Sequence, residues 1–102
     1  MADQPEEKSI LQEAQEIVQG SRQKAYGHPL DNWSQTAAIW SAILGHPVTA
    51  EQAVLCMLGV KISREWNAPK PDNLVDIAGY AYVLQLIRQE RARREYELDT
   101  YK

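Results

Sequence analysis

Residues 53–60 (AVLCMLGV) contain no charged side chain and would be apolar on every side of a helix. A helix without a polar face has to be covered by other parts of the protein. The run therefore predicts a central buried helix, which extends from Ala50 to about Trp66. Thr49 and Gln52 mark its start, because a threonine followed three residues later by glutamine is a capping-box pattern.

The N-terminal part of the chain predicts a first helix that begins after Ser9. Gln12 completes a second capping-box pattern, and apolar residues then recur at helical spacing. This helix ends at Gly20 or continues to about Ala25. Residues 26–30 (YGHPL) predict a turn, since proline disfavours helix at the residue before it.

N-cap residues and a C-terminal glycine predict two further helices. Asp31 as N-cap and Gly45 as C-terminal stop bound the second, and Asp72 caps a long fourth helix. The five-residue loop at residues 67–71 predicts that helices three and four form an antiparallel hairpin. No segment shows a strand signal, so the predicted fold class is all-α with four helices. We expect one core formed by Trp40, Leu55, Leu58, Ile77 and Ala81.

The composition fits one helical domain over residues 1–102, with a flexible N-terminus at residues 1–8 and a charged helical extension at residues 88–102. The extension is expected to be solvated and held by local pairs such as Arg91–Glu95. The formal net charge of −3 argues against a general DNA binder. The apolar stretches are too short to span a bilayer and a signal core is lacking, which predicts a cytoplasmic protein without a membrane partner.

The size and the single cysteine bound the chemistry further. A chain of 102 residues has little room for a deep private site, so a homo-oligomer is expected. One cysteine excludes an intramolecular disulfide and a cysteine-rich zinc site. The two histidines lack the spacing of metal ligands, so no cofactor is expected from the residues themselves.

Asp76 lies in an otherwise uncharged part of the fourth helix, where a carboxylate must be paired, hydrogen-bonded or metal-bound. The predicted hairpin places Lys61 and Arg64 close to Asp76 and Tyr80. Two interpretations stay open for this group. It is either a structural ion-pair cluster or an anion site in which Asp76 orients the two cations towards a phosphate.

The turn region carries a second group of cationic and aromatic side chains. Such a group suits nucleotide recognition, because rings stack on bases and cations contact phosphates. In the alternative, the aromatic rings anchor the turn to the core and the histidine is solvated. The members of the group are Arg22, Lys24, Tyr26, His28, Asn32 and Trp33.

The motifs YGHP at residues 26–29, Lys61-x-x-Arg64 and DNLVDIAGYA at residues 72–81 resemble a small domain of unknown function that is encoded mostly by bacteriophages and prophages. The resemblance covers about residues 20–83 and implies a protein of the host cytoplasm. The helix order is more distantly similar to the MazG-like all-α nucleoside-triphosphate pyrophosphohydrolases.

The MazG-like resemblance implies a Mg²⁺ site made by a Glu-x-x-Glu on one helix and a Glu-x-x-Asp on the next. Asp76 matches the final aspartate, but Asn73 stands at the position of its glutamate partner. Lys61 and Arg64 stand where the first pair would be. Cations at these positions change a metal site into a direct phosphate site. If a metal is nevertheless used, Asp72 and Asp76 would hold it.

The sequence thus predicts a phage-type protein that binds or sequesters a phosphate-bearing nucleotide without turnover and without catalytic residues, at a place where two subunits meet. A Mg²⁺-dependent nucleoside-triphosphate pyrophosphohydrolase is the alternative, and a helical protein–protein interaction module is the second alternative. The predicted ligand-binding residues are Arg22, Lys24, Tyr26, His28, Asn32, Trp33, Lys61, Arg64, Asp76 and Tyr80.

Overall fold

A computed structural model describes residues 8–100, which are almost entirely helical and contain no strand. The elements in chain order are α1 (Ile10–Ile17), a π-helical turn (Val18–Arg22), α2 (Gln23–Tyr26), α3 (Pro29–Leu44), α4 (Ala50–Asn67) and α5 (Pro71–Thr100). The predicted all-α class and the long C-terminal helix are confirmed. The flexible N-terminus predicted for residues 1–8 lies outside the described residues, except for Lys8.

Both predicted capping boxes are present. The hydroxyls of Ser9 and Thr49 each accept a hydrogen bond, at 3.1 Å, from the backbone N–H of the glutamine three residues later. The glutamine side chains accept in return from the backbone N–H groups of the two caps, at 3.0 and 2.9 Å. Gly45 ends α3 with a φ of 66°, a left-handed conformation that favours glycine.

The prediction that Asp31 caps the second helix is wrong. This helix, α3, begins at Pro29, and its N-cap is His28, whose ring Nδ1 accepts a hydrogen bond at 3.0 Å from a backbone N–H two residues later. Proline is favourable at the first helical position because an N–H there would have no helical partner. His28 therefore organises the helix start and directs its Nδ1 to the backbone.

The loop between α4 and α5 is held by a buried asparagine. Asn73 Nδ2 donates to Glu65 Oε1 at 3.3 Å, and the same oxygen accepts from the backbone N–H of Lys70 at 2.9 Å. The helix α5 begins at Pro71, one residue before its predicted cap, so Asp72 lies exposed in the first turn. Asn73 thus has a structural role at the position where the MazG-like pattern has a carboxylate.

The core lies where the π-helical turn, α3, α4 and α5 meet. Ile87 and Val54 are its largest fully buried side chains, and Trp33 is the one buried tryptophan among the described residues. The buried members of the cluster are Val18, Leu30, Trp33, Ala37, Ala50, Ala53, Val54, Val83 and Ile87.

Most of the predicted core is wrong. Leu55 and Ala81 are exposed, Leu58 and Ile77 are half-buried, and Trp40 packs against the edge of the cluster. The reason is that α3 and α5 cover one side of α4, whereas its composition suggested a helix covered on every side.

The charged half of α5 is tied to two earlier helices. Arg91 pairs with Glu51 of α4 rather than with Glu95. Arg94 donates from both terminal nitrogens to the two carboxylate oxygens of Asp31 in α3, at 2.7 and 2.9 Å. This part of α5 is therefore a clamp on α3 and α4. The predicted pair Arg91–Glu95 is wrong, although other local pairs are present, such as those of Arg93 with Glu90 and Glu97.

We expect acid to weaken this clamp as the pH falls from about 4.5 towards about 2. Hydrogen bonds from Arg93 and then Arg94 lower the pKa of Glu90 from 4.5 to about 2, and Arg94 lowers the pKa of Asp31. A carboxylate whose pKa is lower in the folded state stabilises that state above its unfolded pKa, and the contribution is lost as the pH falls through the folded value. Melting temperatures measured by circular dichroism across this range should fall.

The variant Glu90→Gln tests the cause of the acid effect. It removes the carboxylate with the lowered pKa, so its melting temperature should fall less steeply with acid than that of the wild type. A wild-type melting temperature that stays constant down to about pH 2.5 would contradict the prediction.

The helices form a flat, elongated molecule with extents of 61 × 34 × 19 Å. The smallest extent equals about two helix diameters. The radius of gyration of 16.5 Å exceeds the roughly 13 Å of a compact 100-residue domain. Much helix surface is therefore left uncovered. None of the described helices combines the length and the apolar character needed to cross a membrane.

Candidate functional site

A kinked π-helical turn sets the direction of Arg22. Within it Gly20 adopts φ −91° and ψ −108°, outside the helical region. Turns of this kind are frequent at functional sites. The guanidinium of Arg22 lies over the ring of Tyr26, 5.6 Å from the ring centroid. This is a cation–π contact between two exposed side chains.

Three adjoining cavities open beside Arg22 and Trp33, and both residues line all three. Their volumes are about 260, 50 and 20 Å³. The largest is lined by Arg22, Tyr26, Asn32, Trp33, Thr36, Trp40, Met57 and Tyr80. The 50 Å³ cavity reaches Asp76 along a mostly apolar wall. Together they form a shallow cleft, with one cation on its rim and aromatic rings along its sides.

The aromatic wall of the cleft is held by the core. The rings of Trp33 and Tyr80 meet edge to face, with centroids 5.9 Å apart and an interplanar angle of 79°. Trp33 is buried and Tyr80 is half-buried, so both are fixed by packing. Tyr26 is exposed beside the cleft, and the guanidinium of Arg22 lies over one face of its ring.

The far end of the cleft contains the predicted ion pair. Lys61 Nζ lies 2.9 Å from Asp76 Oδ2, which confirms the pairing predicted from the loop between the two helices. The Lys61 side chain is 16% exposed and that of Asp76 is 41% exposed. The charge of Lys61 is therefore already compensated.

Arg64 is not part of this arrangement. It is exposed, it lines none of the three cavities, and it forms no ion pair within residues 8–100. Lys24 is exposed and lines none of the cavities either, and His28 is the N-cap of α3. The predicted basic pair of Lys61 and Arg64 does not form a joint cationic surface.

The structure brings most of the predicted site together. The predicted residues that line the cavities are Arg22, Tyr26, Asn32, Trp33, Asp76 and Tyr80, and Lys61 joins them through its ion pair. In the largest cavity, sequence reasoning missed Thr36, Trp40 and Met57. Thr36 and Trp40 follow Asn32 at intervals of four residues, which places all three on the same face of α3. This spacing was the signal in the sequence that could have identified them.

The carboxylates do not form the Mg²⁺ site that the MazG-like resemblance implies. Residues 8–100 contain no cluster of three or more His, Cys, Asp or Glu side chains that could hold a metal ion. Asp72 is exposed, and one oxygen of Asp76 is bonded to Lys61. These residues offer too few oxygen ligands for a hard divalent cation.

Residues 9–91 match the family model described as Domain of unknown function (DUF6378). The Gene 55 protein of Mycobacterium phage D29 is 34% identical over 88 residues, which cover 85% of this chain and 58% of the phage protein. The Gene 55 protein of Mycobacterium phage L5 is 40% identical over 79 residues, which cover 76% of this chain and 51% of the phage protein.

The chain thus spans slightly more than half the length of these curated relatives. No solved structure matches it. The resemblance to a phage-encoded domain of unknown function, which the YGHP and DNLVDIAGYA motifs indicated, is confirmed.

Proposed function

We propose that this chain, which belongs to the DUF6378 family, binds a phosphate-bearing nucleotide in the cleft beside Arg22 and Trp33 and does not turn it over. The observation that carries the proposal is the state of Arg22. Within the described part of the chain this cation has no carboxylate partner, and it lies on the rim of a cleft with aromatic walls. An uncompensated cation on a concave surface attracts anions.

Arg22 replaces the basic pair as the proposed phosphate ligand. Lys61 is neutralised by Asp76, and Arg64 lies away from the cleft. The planar guanidinium of Arg22 matches a phosphate through two parallel hydrogen bonds, which an ammonium group cannot form.

The base of the nucleotide would contact the aromatic side of the cleft. Stacking of one base on an aromatic side chain is worth about 1–3 kcal/mol. Tyr26 offers an exposed ring for this, and the polar side chains of Asn32 and Thr36 lie in the same cavity. The volume of about 260 Å³ is near the lower end of the roughly 300–1,000 Å³ of small-molecule pockets. A mononucleotide therefore fits better than a larger ligand.

The helices α4 and α5 support this cleft, and we interpret them as the antiparallel hairpin of a MazG-like arrangement. The ion pairs Lys61–Asp76 and Glu51–Arg91 join the two helices in opposite residue order. We place the protein in the cytoplasm of the host cell, where nucleotides are abundant.

Titration of the protein with nucleoside mono-, di- and triphosphates and cyclic nucleotides, followed by isothermal calorimetry, tests the proposal. We expect binding in the presence of EDTA, without release of pyrophosphate, and affinity that falls as salt is added. Arg22→Ala should weaken binding at least tenfold, which corresponds to about 1.4 kcal/mol. Arg22→Lys should also weaken binding. Lysine keeps the positive charge, but it cannot form two parallel hydrogen bonds to one phosphate.

Arg64→Ala is the matched control, since it removes an exposed arginine outside the cleft. Its affinity should equal that of the wild type, and an equal loss in both alanine variants would contradict the role of Arg22. Pyrophosphate release that needs Mg²⁺ would favour the hydrolase. No binding to any of these nucleotides at millimolar concentration would leave the protein–protein interaction module.

A further inference from the structure

One face of α4 is largely apolar and is uncovered. Its residues lie on the side of the helix opposite the fully buried Val54, and the uncharged run of residues 53–60 supplies most of them. We name this surface the outer face of α4. Its exposed members are Leu55, Cys56, Gly59, Val60, Ile62, Ser63 and Trp66.

The outer face is large for a chain of this size. Trp66 is 88% exposed and Ile62 is 54% exposed. A groove of about 360 Å³, lined in part by Pro47 and Val48, continues the surface from Leu55 towards the loop between α3 and α4. From the exposed fractions, the surface amounts to roughly 600 Å², at the upper end of the largest apolar patch that a monomeric protein normally leaves exposed.

Gly59 lies in the middle of this face, and nothing within the chain requires glycine at this position. Its φ is not positive, and a Cβ added to it would meet no atom within 4 Å. Glycine inside a helix is destabilising relative to alanine. Its absent side chain does, however, let a second backbone approach closely.

We propose that a second copy of this chain docks on the outer face of α4, with the two α4 helices crossing near Gly59 on a two-fold axis. A two-fold pair uses the same surface on both chains, so about 600 Å² on each gives about 1,200 Å² in total, the lower bound of a stable interface. The centre of the face has no charged side chain, so two copies bring no like charges together. We place the axis perpendicular to the two helices, which makes them antiparallel, so that their dipoles oppose each other.

This dimer goes beyond the proposed function and does not depend on it. The nucleotide cleft contacts α4 through Met57, which is half-buried on the inner side of the helix. Loss of nucleotide binding and loss of the dimer are therefore separate results.

Light scattering coupled to size-exclusion chromatography, at micromolar concentration, tests the dimer. The wild type should have about twice the chain mass of 11.6 kDa. Ile62→Glu should have the mass of one chain with an unchanged helical circular dichroism spectrum, because Ile62 is exposed within the chain and its replacement leaves the core intact. The matched control is Leu98→Glu, an equivalent change at an exposed leucine of α5, which should remain dimeric.

A cross-linking experiment tests the position of the axis. With the native Cys56 kept, Ser63→Cys should form an intermolecular disulfide with Cys56 of the second copy on mild oxidation, because an antiparallel crossing near Gly59 brings these two positions opposite each other. Leu98→Cys, with Cys56 kept, should not. A monomeric wild type, a dimeric Ile62→Glu variant or the absence of a Ser63→Cys cross-link would each overturn the proposal.

Discussion

Replacing Ile87 by alanine should lower the free energy of unfolding by about 2–5 kcal/mol. Ile87 is fully buried in α5, where it packs into the cluster that joins α5 to α3 and α4. Its truncation removes buried apolar surface and leaves a cavity that the surrounding helices fill only in part. Equilibrium urea unfolding, followed by circular dichroism, should show a lower midpoint with an unchanged slope.

Leu98→Ala is the matched control for the Ile87 variant. Leu98 is exposed near the end of the same helix, so its truncation should change the free energy of unfolding by no more than about 0.5 kcal/mol. Leu58→Ala should fall between the two, since Leu58 is half-buried. A near-neutral Ile87→Ala would mean that Ile87 does not pack into the core.

Asp76→Ala should lower the free energy of unfolding by about 1–3 kcal/mol. The reason is that the ammonium group of Lys61, on a side chain that is mostly buried, loses its partner at 2.9 Å. Breaking a fully buried ion pair costs about 3–5 kcal/mol. Because Asp76 is partly exposed, the expected loss of stability for this pair is smaller.

The double variant Lys61→Met/Asp76→Ala tests whether the unpaired cation is the cause. It should recover most of the lost stability, because an apolar side chain in place of Lys61 needs no partner. Glu95→Ala, at an exposed position of α5 without an ion pair in the described residues, is the control and should be nearly neutral. If the double variant is no more stable than Asp76→Ala, the loss of stability in Asp76→Ala does not come from the unpaired charge of Lys61.

The sequence predicted most of the polar and aromatic lining of the cleft but none of its aliphatic lining. The turn residues Arg22, Tyr26, Asn32 and Trp33 are close in the chain, so the short helix α2 and the turn after it keep them together. The proposed role of Arg22 in place of Arg64 did not follow. It depends on a kink in one helix and on which side of α4 the cleft forms.

The sequence by itself determined the all-α class, the starts of α1 and α4, and the end of α3. The capping boxes at Ser9 and Thr49 and the left-handed Gly45 are interactions within a few residues, so they need no other part of the protein. The pairing of Lys61 with Asp76 also followed, because the short loop at residues 68–70 leaves the two helices few ways to pack.

The tertiary structure alone decided which apolar side chains are buried and which charges meet. The hydrophobicity of residues 53–60 shows that their burial is favourable. It does not show that the other helices of the chain are large enough to cover all of them. Leu55, for example, stays exposed. The bond from Arg94 to Asp31 joins residues 63 positions apart, so it exists only once α3 and α5 have packed. Local preferences act over one or two helical turns, whereas burial and long-range pairing depend on the arrangement of all the helices.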